Sequence, residues 1–252
     1  QSNPQQKDYY WGKAERINYT VNGKMISGVL IYPADYQAGK HYPMVVQIYQ
    51  RQLQYLHDYV NPTIFEPGGF NISNFTTQGY FVLLPAIVYA LGEVGASATT
   101  CVLAATNAVI AKGFVDPSKI GLIGHSFGGY ETDFIISQTD QFATAVSGAA
   151  WTDLVSTYLY IGGNYHKPDF WRSEYDQLRI GKSLFEDTDS YLRNSPVLQA
   201  AKVRTPLLAW TGAEDRHVNY YQSIEFYLAL RRLQKKHTML IYPGEGHALM
   251  EE

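Results

Sequence analysis

The chain has 252 residues, of which 46% are apolar and 17% are charged, so a disordered chain and a coiled coil are excluded. Its 20 lysines and arginines against 23 aspartates and glutamates give a net charge of −3, which argues against a nucleic acid or an anionic membrane as partner. No stretch reaches the ~20 apolar residues of a membrane helix, and the single cysteine, Cys101, excludes an internal disulfide framework and a cysteine-based zinc site.

Predicted strands and helices alternate along most of the chain. Residues 1–12 are polar and predict a linker-like segment before a domain at 13–252. The strands are predicted at 16–21, 25–32, 44–49, 80–84, 119–123, 142–146, 207–210 and 238–242. The helices are predicted at 71–78, 97–112 (with Ser97 as candidate N-cap), 127–138 and 220–233, and a turn at Asp116-Pro117. This alternation predicts an α/β fold, a mostly parallel central sheet with helices on both faces.

Two features of composition point to ligand contacts. Residues 151–190 are rich in Tyr, Gly and Asp without a clean period, and a long irregular stretch within a compact domain is usually functional. The chain also has 21 tyrosines. Tyrosines on the surface can bind flexible ligands such as peptides, but many tyrosines are core residues whose hydroxyl reaches water.

Cys101 lies in an apolar run, which favours buried packing over reactivity.

The sequence Gly124-His125-Ser126-Phe127-Gly128 matches the pattern G-x-S-x-G, which is unspecific by itself. Its context is specific, because it directly follows a predicted strand and opens a predicted helix. A sharp strand-to-helix turn strains its central residue, and glycines remove the side chains that would collide there. The pattern therefore predicts the nucleophile elbow of an α/β-hydrolase fold, with Ser126 as nucleophile; a glycine-rich turn with an incidental serine is the alternative.

A serine nucleophile needs a base, and the base needs an orienting acid. In this fold the acid and then the histidine come later in the chain, each on a loop after a strand. Asp215 follows the predicted strand 207–210, and His247 follows the last predicted strand, 238–242. Because both loops contain glycine, they allow a close approach to Ser126. The order predicts Asp215 as the acid and His247 as the base.

Competing residues occur near both positions. His217 shares the loop of Asp215 and is the one serious rival as base, and Glu214 is the rival acid. The other histidines precede Ser126 or lie away from the ends of the later strands: His41, His57, His125, His166 and His237. An oxyanion hole is also required, and the backbone N–H of Phe127 is its first predicted donor. The second donor is expected after an early strand, where Tyr49 offers its hydroxyl or a neighbouring N–H, although an ordinary packed tyrosine fits that spacing equally well.

Several stretches together resemble a known family. They are D-P-S-K-I at 116–120, G-H-S-F-G-G-Y at 124–130, G-A-E-D-R-H-V at 212–218, Y-P-G-E-G-H at 242–247, and the strand sequences at 22–33 and 42–46. In combination they resemble the catalytic domain of the prolyl oligopeptidase family of serine peptidases. The likeness implies Ser126, Asp215 and His247 as the triad.

The resemblance also implies roles around the triad. It places the Tyr49 hydroxyl in the oxyanion hole with Phe127, and Trp151 and Tyr158 in the pocket for the residue before the scissile bond. His217 corresponds to a polar side chain that contacts the substrate backbone. The sequence departs from the family at Gln50-Arg51-Gln52, where relatives often have two glycines and a proline, and at 85–90, where they commonly have Arg-Gly. Both departures are expected to alter substrate preference.

These features predict a serine peptidase that cleaves short peptides through an acyl-enzyme, without metal or organic cofactor. A carboxylesterase of small esters and a non-catalytic, hydrolase-like binding module are the alternatives. Since relatives carry an N-terminal β-propeller and a final helix after the catalytic histidine, we expect this chain to be the catalytic part of a longer peptidase. The non-Met start favours a secreted or periplasmic origin over a cytoplasmic one.

Overall fold

The computed structural model describes residues 12–164 and 166–250. The strands in this part of the chain are β1 (Ala14–Val21), β2 (Lys24–Ile31), β3 (Tyr42–Ile48), β4 (Phe81–Leu84), β5 (Val115–His125), β6 (Thr144–Gly148), β7 (Ile161–Gly162), β8 (Lys167–Pro168), β9 (Leu207–Gly212) and β10 (His237–Tyr242). The α-helices are α1 (Ile72–Thr77), α2 (Val94–Ile110), α3 (Phe127–Ile136), α4 (Leu154–Tyr158), α5 (Phe170–Glu174), α6 (Thr188–Arg193) and α7 (Tyr221–Arg232). Short 3-10 helices occur at Leu53–His57 and Pro196–Lys202.

Eight strands form one sheet in the order β1-β2-β4-β3-β5-β6-β9-β10. The pairs β1-β2 and β2-β4 are antiparallel, and all pairs from β4 to β10 are parallel. The predicted α/β fold with a mostly parallel sheet is therefore confirmed. Because the carboxyl ends of parallel strands share one edge, the loops after β3, β5, β9 and β10 come together there.

Helix α2 begins at Val94, three residues before the predicted start, so Ser97 is not its N-cap. The Ser97 hydroxyl instead accepts the Ala90 N–H at 3.0 Å. A side chain from much later in the sequence satisfies one of the free N–H groups at the start of the helix: Asn194 Oδ1 accepts the Gly95 N–H at 3.2 Å. The local sequence could not reveal a cap that comes from so far along the chain.

The predicted turn at Asp116-Pro117 lies inside β5: the Asp116 carboxylate accepts the Ser118 N–H at 2.9 Å, as in a local turn, and pairing with β3 resumes only at Ile120. Val115 pairs with Tyr42, and a register shift in the pairing of β3 with β5 absorbs the irregular segment. The predicted linker at 1–12 lies outside the described residues except for Gly12. No helix within residues 12–164 and 166–250 combines the length and apolar character needed to cross a bilayer.

Aromatic side chains fill much of the core beside β4. Phe81 is fully buried and stacks on Phe114 with ring centroids 4.7 Å apart, and Tyr32 and Tyr42 meet its edges. Several of the tyrosines that dominate the composition are therefore core residues. Cys101 is also fully buried, and burial raises the pKa of its thiol, which agrees with the predicted packing role.

A second apolar cluster lies beside helix α3 and is built largely from the irregular segment that follows β6. Its buried members are Val94, Phe127, Tyr130, Trp151, Leu154, Tyr158, Leu178, Ile180, Leu184, Tyr191 and Val218. In place of a long regular element, this segment forms short helices and the two-stranded β7-β8 hairpin, which explains why its sequence has no clean period. This segment is thus packed structure that supports the turn between β5 and α3.

The core position of Phe81 predicts a large loss of stability on truncation. We expect Phe81→Ala to lower the free energy of unfolding by about 3–5 kcal/mol, because the side chain is fully buried among rings that close only partly over the cavity. Phe185→Ala is the control, since this phenylalanine is 77% exposed, and it should change stability by no more than about 0.5 kcal/mol. Chemical denaturation measures both, and equal losses would contradict the assignment of the core.

Candidate active site

Ser126 lies between β5 and α3 with φ 60° and ψ −120°, a conformation that a non-glycine residue seldom adopts. Glycines make this turn sterically feasible. A Cβ on Gly124 would lie 2.0 Å from the carbonyl oxygen of Gly128, and a Cβ on Gly128 would lie 2.2 Å from that of Ile48. The predicted strand-turn-helix arrangement around Ser126 is therefore present, and it raises the hydroxyl at the sheet edge.

A continuous chain of hydrogen bonds joins three of the predicted residues. His247 Nε2 lies 2.7 Å from Ser126 Oγ, and His247 Nδ1 lies 2.8 Å from Asp215 Oδ2. The second carboxylate oxygen, Oδ1, accepts the backbone N–H groups of His217 and Val218 at 2.8 and 2.9 Å. Because the Asp215 side chain is fully buried, the Nδ1 proton is held towards it, and Nε2 is left to accept the proton of the serine.

His125 fixes the loop that carries His247. Its Nε2 lies 2.6 Å from the His247 carbonyl oxygen and donates to it, and its ring stacks on Trp210 with centroids 5.1 Å apart and planes 7° apart. Burial, followed by the repulsion of a charged His247, lowers the pKa of His125. The neutral ring is therefore the form that holds this loop in place.

The structure separates the predicted acid from its rival. Glu214 is exposed, and its backbone N–H donates to the Glu245 carbonyl at 2.8 Å, which ties the acid loop to the histidine loop. The His217 ring lies beside the His247 ring, with centroids 4.9 Å apart, but His247 is the histidine that is hydrogen-bonded to Ser126. Burial lowers the pKa of His217. Its predicted contact with a substrate backbone stays a prediction.

A cleft of about 980 Å³ opens beside Ser126 and His247. Tyr49 lines it, and the Tyr49 hydroxyl accepts a hydrogen bond from the side-chain N–H of Gln177 at 3.1 Å. Burial raises the pKa of this hydroxyl, so it keeps its proton at neutral pH and remains a donor. The ring of Phe127 meets that of Tyr49 edge-on at 6.3 Å. Tyr49 and Ser126 thus line the same cleft, Phe127 directly follows Ser126, and the oxyanion role of the Tyr49 hydroxyl and the Phe127 N–H stays a prediction.

Trp151 and Tyr158 are almost fully buried, at 2% and 4% exposure. Trp151 meets the Phe127 ring edge-on at 6.4 Å, and the Tyr158 hydroxyl donates to Glu174. Neither is among the described residues that line the cleft, and the predicted contact of each with substrate is not tested by this arrangement.

The two departures from the family do line the cleft, at residues 50–52 and 87–89, whereas no role was predicted from the sequence for Arg179 or Glu131. Tyr89 and Arg179 line the cleft, and the Arg179 guanidinium lies 4.6 Å from the Tyr89 ring centroid. Beneath them, Glu131 is a fully buried acid on α3. Two acids, Glu131 and Asp133, within a largely apolar helix were the signal available for Glu131, whereas nothing local marks Arg179.

Comparison with known proteins gives three kinds of match. A sequence model described as the prolyl oligopeptidase family matches residues 92–252. The chain is 28% identical over 240 residues to the "uncharacterized peptidase YuxL" of Bacillus subtilis, a match that covers 93% of this chain and 35% of that protein. It is 28% identical over 171 residues to the acylamino-acid-releasing enzyme 1 of rice (Oryza sativa subsp. japonica), covering 63% of this chain and 21% of that protein.

Solved structures show the same fold. The acylaminoacyl peptidase of Pyrococcus horikoshii superposes with a TM-score of 0.76 at 20% identity, over 96% of this chain and 38% of that one. Dipeptidyl peptidase 4 of Porphyromonas gingivalis gives 0.76 at 20% identity, over 98% and 35%. The chain thus has the predicted α/β-hydrolase fold and spans about a third or less of the curated relatives described above.

The close approach at the elbow predicts the effect of a single methyl group. We expect Gly124→Ala to lower the free energy of unfolding by about 1–3 kcal/mol, because the added Cβ would collide with the Gly128 carbonyl. Gly121→Ala is a matched control in the same strand, where the new Cβ meets Thr144 at an ordinary 3.6 Å. Chemical denaturation of the two variants tests this, and equal stabilities would refute the steric account.

Burial of His125 predicts a pH dependence of stability. Since its pKa is lowered in the folded chain, the unfolded chain binds more protons as the pH falls below ~6.5, and the free energy of unfolding decreases. His125→Phe keeps a ring against Trp210 but cannot titrate. Chemical denaturation at pH 7 and pH 5 should therefore show a larger decrease in the free energy of unfolding for the wild type than for the variant. Equal losses would count against a neutral, buried His125.

Proposed function

Because this chain belongs to the prolyl oligopeptidase family, we propose that it is a serine peptidase domain that cleaves short peptides, with Ser126 as nucleophile, His247 as base and Asp215 as orienting acid. The observation that carries the proposal is the unbroken hydrogen-bond chain from Asp215 through His247 to Ser126 at the cleft. Its members come from loops after β5, β9 and β10, so the parallel sheet itself assembles them.

In the first step, Ser126 Oγ attacks the scissile carbonyl carbon while His247 Nε2 takes the hydroxyl proton. The imidazolium that forms faces the buried Asp215 carboxylate, whose charge is held by two backbone N–H groups. The negative charge on the substrate oxygen is stabilised by the Phe127 N–H and the Tyr49 hydroxyl. Both are neutral donors, and the N–H lies at the amino terminus of α3, where the helix dipole also favours negative charge.

In the second step, the tetrahedral intermediate collapses as the bond to the leaving group breaks. His247 Nε2 returns its proton to the leaving amine, and an ester of Ser126 remains. Water then attacks this acyl-enzyme, with His247 again taking a proton, and the acid product leaves Ser126 with its hydroxyl restored. The same histidine therefore serves as base and acid twice in each turnover.

The cleft supports a peptide as substrate. Its volume of about 980 Å³ exceeds the space that the acyl group of a small ester needs. Tyr49 and Tyr55 offer ring surface and hydroxyls, Tyr89 offers ring surface, and the amide side chains of Gln50 and Gln54 can bond a peptide backbone. The related proteins named above as acylaminoacyl and dipeptidyl peptidases are consistent with this substrate class.

Labelling with a fluorophosphonate tests the nucleophile directly. We expect the wild type to be labelled and to hydrolyse aminoacyl and N-acyl-aminoacyl p-nitroanilides, and Ser126→Ala to lose both activities by at least about 1000-fold. Ser118→Ala, a serine outside the cleft, is the matched control and should behave as wild type. Absence of label on folded wild type would refute the enzyme assignment. Turnover of p-nitrophenyl esters with none of the amides would favour an esterase instead.

A further inference from the structure

Helix α3 carries an acid that the triad does not use. Glu131 lies five positions after Ser126 and is fully buried, as are all ten residues of the helix. Its burial is costly for a carboxyl group unless other groups compensate it. The residues that compensate it belong to two loops that line the cleft.

The first contact is with the loop after β4. The Tyr89 hydroxyl donates a hydrogen bond to Glu131 Oε1. Tyr89 is itself half-buried, with the Arg179 guanidinium 4.6 Å from its ring centroid, and both residues line the cleft. The positive charge of Arg179 also favours the ionised form of Glu131.

The second contact is with the loop after β3. The backbone N–H of Gln50, the residue directly after Tyr49, lowers the pKa of the Glu131 carboxyl group, whose Oε2 has no hydrogen-bond partner among the described residues. Gln50 has φ 43°, a left-handed conformation that a side chain of this size seldom adopts. Its carbonyl oxygen accepts the Ile87 N–H at 2.8 Å, and its side-chain oxygen lies 3.5 Å from Arg179 Nη2. A strained backbone persists only where its surroundings fix it, and Gln50 is fixed by Ile87 and by Arg179, which also packs on Tyr89, the partner of Glu131.

We propose that Glu131 is a positioning residue for hydrolysis: its buried carboxyl group holds Tyr89 and the Tyr49-Gln50 corner together, and so sets the place of the Tyr49 hydroxyl beside Ser126. The inference rests on the proposed function, in which that hydroxyl stabilises the oxyanion. Glu131 reaches neither the cleft nor the substrate, and it acts through Tyr49.

The electrostatics agree with this role. Burial raises the pKa of Glu131 to about 8, against the opposing effects of the Tyr89 hydroxyl, Arg179 and the Gln50 N–H. Burial and the nearby carboxyl group raise the pKa of Tyr89, so its hydroxyl keeps its proton and remains the donor. At neutral pH the Glu131 carboxyl group is therefore mostly protonated, and its Oε1 still accepts the hydrogen bond of the Tyr89 hydroxyl.

The same helix offers a matched control. Asp133 is also buried, and it lies two positions further along, so it points about 200° around the helix from Glu131. It faces the Ser147 hydroxyl on β6 instead of the loops of the cleft. Replacement of Asp133 by Asn removes a buried acid from α3 without touching Tyr49, Gln50 or Tyr89.

Steady-state kinetics and thermal melting test the proposal. We expect Glu131→Met to lower kcat about 10- to 100-fold with KM within about threefold, because a displaced oxyanion donor weakens the transition state more than the bound substrate. Glu131→Gln keeps an acceptor oxygen for Tyr89 and should recover most of kcat. Asp133→Asn should keep kcat within about twofold. Loss of kcat in proportion to a fall in Tm across all three variants would overturn the proposal and indicate a structural role.

A second background isolates the route through Tyr49. In Tyr49→Phe, which lacks the hydroxyl, Glu131→Met should lower kcat by no more than about twofold further. An undiminished loss in that background would overturn the proposal, because Glu131 would then act by another route. If wild type hydrolyses the amides and Glu131→Met does so equally well, this inference fails while the proposed function stands.

Amide hydrogen exchange of residues 49–52 gives a readout that needs no substrate. Exchange should be at least about tenfold faster in Glu131→Met than in wild type and unchanged in Asp133→Asn. Unchanged exchange in Glu131→Met would overturn the positioning role. Faster exchange together with absence of fluorophosphonate labelling of wild type would instead support the contact and refute the proposed function.

Discussion

The arrangement depends on a contact between backbones where β3 ends and β5 turns into α3. Gly128 lies so close to the Ile48 carbonyl that a methyl group cannot fit between them, and Gly124 lies equally close to Gly128. Ile48 directly precedes Tyr49, so the same contact that forces Ser126 into its strained conformation brings the tyrosine loop alongside it. Ser126 and Tyr49, the proposed nucleophile and oxyanion donor, are therefore placed by close main-chain packing.

The other half of the site is assembled in a similar way. A Cβ on Gly212 would lie 2.1 Å from the Gly246 carbonyl, so the ends of β9 and β10 hold the acid and histidine loops in van der Waals contact. Backbone hydrogen bonds from Ala213 and Glu214 then join the two loops. Asp215 and His247 consequently lie at hydrogen-bonding distance, and the proposed proton transfer requires little reorganisation.

The parts that could be predicted from sequence are those with a local signal. The glycines around Ser126, the alternation of strands and helices, and the order of Asp215 and His247 each follow from neighbouring residues or from the topology of parallel sheets. The start of α2 could not be predicted in that way, because its first free N–H groups are satisfied in part by Asn194 from much later in the chain. The surroundings of Trp151 could not be predicted either, since burial depends on how a segment without periodicity folds against α3.

The partners of Glu131 escaped prediction for the same reason. Tyr89 lies 42 positions before it, and only the packed structure brings the two together. An acid in a largely apolar helix can be noticed in a sequence, but the role of that acid depends on which hydrogen-bond donors surround it in the folded chain. Long-range polar contacts of this kind have no period and no fixed spacing, in contrast to the glycine pattern of the elbow.

The stacked His125 ring has a consequence for the dynamics of the triad. It is bonded to the carbonyl of His247, while the imidazole of His247 is bonded to Ser126, the neighbour of His125 in the chain. The two hydrogen bonds and the intervening backbone close a small ring that contains Ser126 and His247, the proposed nucleophile and base. Departure of the histidine loop as a whole must therefore break both bonds, so His125 adds a second tether to the one between His247 and Ser126. The alignment of Ser126 with His247 therefore depends on both hydrogen bonds.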